Sequence, residues 1–144
     1  MTSRRKFIQS GLAISALSVA ELSPLQAAVA TNEHASLILQ DFVFDNRFRF
    51  ASDIARQVAA QGIYLAEMSG DLTRLWAGRY LPLWKQGPMT LAGVTAEDGL
   101  FVLGTLAADH GMRVIHNAEL AIPSQYREDP DETLYNWIIA PKKT

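Results

Sequence analysis

From Ala35 onward the chain alternates short unbroken apolar runs with stretches whose apolar residues recur every three or four positions. Ala35–Phe44 (ASLILQDFVF) has aliphatic and aromatic residues and no Gly or Pro, which predicts a buried strand. Asp45-Asn46 then offers a helix cap, and Phe50, Ile54 and Val58 at i, i+4 and i+8 predict a helix that stops at Gly62. Ile63–Met68 reads as a second strand, Ser69-Gly70-Asp71 as a tight turn, and Leu72, Leu75, Trp76 and Tyr80 as one side of a second helix that Pro82 should end or kink. Met89–Val94 is the third strand. Thr95-Ala96-Glu97-Asp98 matches a capping box ahead of a third helix, with Leu100, Leu103, Leu106 and Ala107 on one side and His110-Gly111 at its close. Met112–Asn117 predicts strand four, the polar segment Ser124–Glu132 a loop, and Thr133–Ala140 a last strand. Strands alternating with helices predict an α/β fold: a three-layer, Rossmann-like sheet of four parallel strands and three helices. The last strand lacks a crossover helix and is expected to return as an antiparallel edge, guarded by Lys142 and Lys143.

The first 30 residues have a different pattern. Arg4, Arg5 and Lys6 precede an apolar run of 13 residues, Ile8 to Ala20, and Ala28-Val29-Ala30 supplies small residues in A-x-A order, so cleavage is expected after Ala30. The run is shorter than the roughly 20 residues that span a bilayer, so no permanent anchor is expected. Ser3-Arg4-Arg5-Lys6-Phe7-Ile8 resembles the twin-arginine (Tat) signal of bacteria, with Gln9 where that family often has Lys. The resemblance implies export to the periplasm in a folded state, with the Tat translocase as partner during export and Arg4, Arg5 and Phe7 as the signal residues. GDLTRLW, LAGVT and LAADHGMRV are similar to stretches of uncharacterised bacterial proteins that also bear Tat-like signals; the resemblance implies one domain over 31–144 and attaches no activity to it.

Composition narrows the chemistry. The 114 residues after Ala30 carry 10 basic against 14 acidic side chains, without the clustered Lys and Arg of a nucleic-acid surface. There is no cysteine, which removes disulfides, covalent c-type haem and cysteine-ligated iron–sulfur clusters. No G-x-G-x-x-G and no Walker A motif occurs. His34, His110 and His116 lack an H-E-x-x-H spacing, and no metal and no cofactor is expected within the chain.

In open α/β sheets ligands bind outside the carboxyl ends of the strands. That rule nominates Asp45 and Arg47, Ser69, Gly70 and Asp71, Gly93 and Thr95, and His116 and Asn117. Asp45, Asp71, Thr95 and His116 are the catalytic candidates, with His116 as a general base, and Gly70 and Gly93 the candidates beside a bound ligand. Asp71 and Thr95 also have the plainer role of helix caps. Asp41, Asp45 and Asp71 were they to gather would suit a hard cation, but separate ion pairs such as Asp45 with Arg47 are the simpler expectation. Trp84 follows the Pro82 break and is expected on the surface, where with Arg79 and Lys85 it would form a hot spot for a protein partner. The function expected is that of an exported accessory protein or small subunit, of a Tat-exported redox system, without catalysis of its own. A small enzyme or small-molecule binder using the strand-end pocket is the alternative.

Overall fold

The computed structural model describes residues 39–129 and 131–142; the signal-like segment with Arg4, Arg5 and Phe7, the Ala30 cleavage position, His34 and Lys143 lie outside the described residues. Five strands form one sheet: β1 (Asp41–Asp45), β2 (Tyr64–Met68), β3 (Leu91–Thr95), β4 (Met112–Leu120) and β5 (Leu134–Pro141), in the order β2-β1-β3-β5-β4. β1 pairs in parallel with β2 and β3, whereas β5 runs antiparallel between β3 and β4.

This corrects the expected Rossmann-like sheet of four parallel strands. The sheet is mixed, most of its pairing is antiparallel, and the last strand lies inside the sheet with β4 as the edge. The cause is the apolar content of the two segments. Trp137, Ile138 and Ile139 are fully buried, so β5 needs cover on both faces and neighbours on both sides. β4 carries Arg113, His116, Asn117 and Glu119 and tolerates an outer position, with a register irregularity between Val114 and His116.

Helices cover both faces. On one face α1 (Arg49–Ala59) buries Phe50, Ala51, Ile54, Ala55 and Val58 against Phe42, Phe44 and Val94. Its N-cap is Phe48 without a side-chain cap, so Asp45 does not serve as one. On the other face α2 (Thr73–Leu75), a π-helical turn (Trp76–Tyr80) and α3 (Leu81–Gln86) form one continuous helical segment, joined by α4 (Glu97–Ala108). A short 3-10 turn spans Ser124–Tyr126 within the predicted loop.

Pro82 neither ends nor sharply breaks the second helix, because the π turn precedes it. Proline has no N–H and its ring would crowd the carbonyl four residues back, Gly78. The chain widens there: Leu81 N–H donates to the Trp76 carbonyl, five residues back, and Pro82 sits in the first turn of α3 where its missing donor costs little.

A candidate binding groove on the open edge of the sheet

The strand tips gather less than expected. Asp45, fully buried at the end of β1, is neutralised by Arg47, whose Nε and Nη2 donate to its carboxylate at 3.0 and 2.7 Å and whose backbone N–H donates at 3.1 Å. The Asp45 hydrogen bond holds the Arg47 pKa above its usual range. Arg47 lies across Gly70, where a β-carbon would come within 2.8 Å of Arg47 Cζ; Gly70 also has φ of 85°. Asp71 is exposed and accepts from the backbone N–H and the hydroxyl of Thr73 at 2.9 and 2.8 Å, bonds that hold its carboxyl below the usual range. It thereby satisfies a donor at the start of α2, while Leu72 occupies the N-cap position.

Thr95 does not cap α4; Ala96 is the N-cap, with no side-chain bond. The buried Thr95 hydroxyl donates to the Ala96 carbonyl at 2.9 Å and accepts from the Trp137 indole at 3.1 Å. Gly93 makes room for the same indole: a β-carbon there would stand 2.4 Å from Trp137 Cζ2 and 2.6 Å from the Val43 carbonyl. His116 is separated from these residues. It pairs in register with Ile138, so it lies on the α1 face, whereas Thr95 pairs with Tyr135 on the other face. Its Nε2 meets Asn136 Oδ1 at 2.9 Å. β4 continues past His116 to Leu120, which leaves the histidine in the body of the strand. Asp45, Asp71, Thr95 and His116 therefore form no common constellation. Among the described residues no group of three or more His, Asp or Glu is placed to hold a metal ion.

The surface expected at Trp84 is also corrected. Trp84 is 2% exposed and packs on Trp76 and Tyr80, with both ring centroids 5.3 Å away, because the continuous helix turns it onto the sheet. Lys85 is exposed, and Arg79 points to the opposite end of β1. There Arg79 Nε and Nη2 donate to the Asp41 carboxylate at 2.7 and 2.9 Å, and the Tyr80 hydroxyl donates to it at 2.7 Å. Two adjacent residues reach one acceptor from the wide π turn. Burial, followed by the Asp41 charge, holds the Tyr80 phenol far above its usual range, so it stays a donor; the Asp41 bond likewise raises Arg79. The guanidinium also lies 3.5 Å from the ring centre of Tyr64, which is half exposed on β2.

This cluster is one end of a groove of about 690 Å³ running beside β2. The strand supplies Tyr64, Ala66, Glu67 and Met68, the turn after it Ser69 and Asp71, and the helical segment Arg74, Leu75 and Gly78. No described strand pairs with the outer side of β2, so its backbone donors and acceptors border the groove. Arg74 is exposed and has no ion pair among the described residues, though its charge contributes to lowering Asp71. Gly78 lines the wall with open space where a side chain would start. A smaller cleft of about 340 Å³ at the strand tips is lined by Gly70, Asp71, Trp76, Asp98 and Gly99 and includes only two of the nominated residues, Gly70 and Asp71.

Ser69, Asp71 and Arg79, each nominated from the sequence, line the groove, but their meeting in one place was not apparent there. Asp41 and Arg79 are 38 residues apart, and nothing in the spacing pairs them. The one available signal was Tyr64-Leu65-Ala66-Glu67, where polar and aromatic residues interrupt an otherwise apolar strand. No family model matches the chain, and neither a curated protein nor a solved structure matches it.

Proposed function

We propose that this chain is an exported, non-catalytic accessory protein that holds an extended segment of a partner along β2. The observation that carries the binding mode is the open β2 edge with a groove of about 690 Å³ beside it. An added strand satisfies the edge backbone groups, and side chains on its alternate positions enter the groove. The slot between Tyr64, Leu75 and Gly78 suits an apolar side chain, and Arg74, Glu67 and Asp71 offer charges of both signs to polar side chains beside it. The charged pairs Asp45–Arg47 and Asp41–Arg79 are engaged with each other, which favours binding over acid–base chemistry. Tyr64 and Arg79 replace Trp84 as the surface on which this reading rests.

Gly78 gives a clean test, because a side chain there projects into the groove and not into the fold. Gly78→Trp is expected to retain the wild-type melting temperature to within a few degrees, since surface changes stay within about 0.5 kcal/mol. Wild-type protein panned against a displayed library of short random peptides should enrich extended sequences of alternating apolar and polar residues, and Gly78→Trp should enrich none of them. Equal enrichment by both proteins, or none by the wild type, would refute the groove as the binding site.

Export rests on Arg4 and Arg5. Lysine retains the charge of arginine but not its planar fork of donors, so Arg4→Lys with Arg5→Lys is expected to strand the precursor in the cytoplasm. Fractionation that finds the doubly substituted chain in the periplasm at the wild-type level removes the Tat assignment.

A further inference from the structure

α4 is apolar on nearly every side, yet the sheet covers one stripe of it. Gly99, Leu103 and Ala107 are buried, whereas Phe101 is 71% and Val102 39% exposed and Leu100 and Leu106 are half-buried. A helix that is apolar all round belongs in a buried setting, and a contiguous exposed apolar patch marks an interaction surface. Phe101 stands at the rim of a groove of about 370 Å³ floored by Leu100, Gly104, Val114 and Tyr135. Gly104 lets α4 lie close on β4, since a β-carbon there would meet Val114 Cγ2 at 3.1 Å.

The patch therefore carries a protruding ring and a hollow able to receive one, side by side. A twofold pairing of identical chains satisfies both at once, because each copy offers the same surface to the other. The ends of α4 fit the same arrangement. Glu97 and Asp98 lie in its first turn; at the far end Lys142 donates to the Ala108 carbonyl at 3.1 Å, beside His110 and Asp109. An antiparallel crossing lays each acidic start against the other copy's Lys142 and opposes the two helix dipoles. We propose that α4 is a self-association surface, with Phe101 of each copy seated in the groove beside Gly104 of the other. This face is separate from the β2 groove. With 12 residues, α4 is about 18 Å long, so the interface is small, at the weak and transient end of specific ones. Such a pair forms and dissociates with concentration.

Sedimentation velocity of the full chain over roughly 1–300 µM, a range centred on micromolar affinity, is expected to show a monomer–dimer equilibrium. Phe101→Glu should weaken it at least about tenfold, as loss of a central aromatic anchor does, with an unchanged circular-dichroism melt. Because the chain has no cysteine, a single Thr105→Cys provides an independent readout: a short bis-maleimide should link two copies of that variant, and Arg56→Cys on the exposed side of α1 should not be linked. A wild-type monomer throughout the range, a dimer indifferent to Phe101→Glu, or equal cross-linking from both cysteines would each overturn the proposal.

Discussion

Trp84→Ala is expected to cost about 3–5 kcal/mol of stability, the range for removing a buried aromatic side chain. The indole lies 2% exposed among Trp76, Tyr80 and His110, at the joint where three parts of the structure meet: the helical segment, the sheet and the end of α4. Its removal leaves a cavity that the stiff neighbouring rings fill poorly. For a domain of this size each kcal/mol lowers the melting temperature by about 4–8 °C, so a loss of tens of degrees is expected in a calorimetric scan. Trp84→Phe provides the control. The Trp84 Nε1 has no hydrogen-bond partner among the described residues, so phenylalanine gives up ring volume but also removes an unsatisfied buried donor. It should cost less than half as much as alanine. A loss below about 1 kcal/mol for Trp84→Ala would show that the tryptophan is not part of the core.

The second large effect is expected at Asp41. Removing one partner of a buried ion pair leaves the other without compensation and costs about 3–5 kcal/mol. Here Asp41→Ala abandons both the Arg79 guanidinium and the Tyr80 hydroxyl. Arg79 is 27% exposed and recovers some hydration, so the lower end, about 3 kcal/mol, is expected. The diagnostic measurement is a double-mutant cycle in urea. Asp41→Leu with Arg79→Met, which removes both charges, should be more stable than Asp41→Leu alone, because the abandoned cation is gone. Simple addition of the two single losses would show that Asp41 and Arg79 are not coupled.

How far the sequence foretold the structure follows from particular residues. The locally encoded features were legible: the i, i+4, i+8 pattern of Phe50, Ile54 and Val58 became α1, and Leu91–Thr95 and Met112–Leu120 fall on the predicted third and fourth strands. Sheet order was not, because it depends on which strand is buried on both faces. The contrast between TLYNWIIA and the charge-bearing MRVIHNAEL was the available signal, and the helix between β3 and β4 obscured it by suggesting that they pair as neighbours. Pro82 misled for a different reason. Its steric rule applies to an α-helix, and a π turn meets the same constraint without a break, which buries Trp84 and aims Arg79 at Asp41. Among the nominated site residues, Asp45, Thr95 and Gly93 serve packing and charge balance, and Ser69, Asp71 and Arg79 line the groove together with Tyr64, Arg74 and Gly78, which the sequence reading did not nominate.

The place of β5 sets the order in which the molecule can be completed. β3 and β4 have no ladder to each other; β5 lies between them and is the one described strand that pairs with β4. Until residues 134–141 have been synthesised, the first three strands can assemble as a parallel trio, but β4 has nothing to hold it and α4 has only part of its floor. Closing the sheet brings Leu91 to Ile139, 48 residues further along, a contact whose loop-closure entropy is incurred before its burial is gained. Completion of the fold therefore waits for residues 134–141, and a molecule cut before them lacks the middle of its sheet rather than a margin.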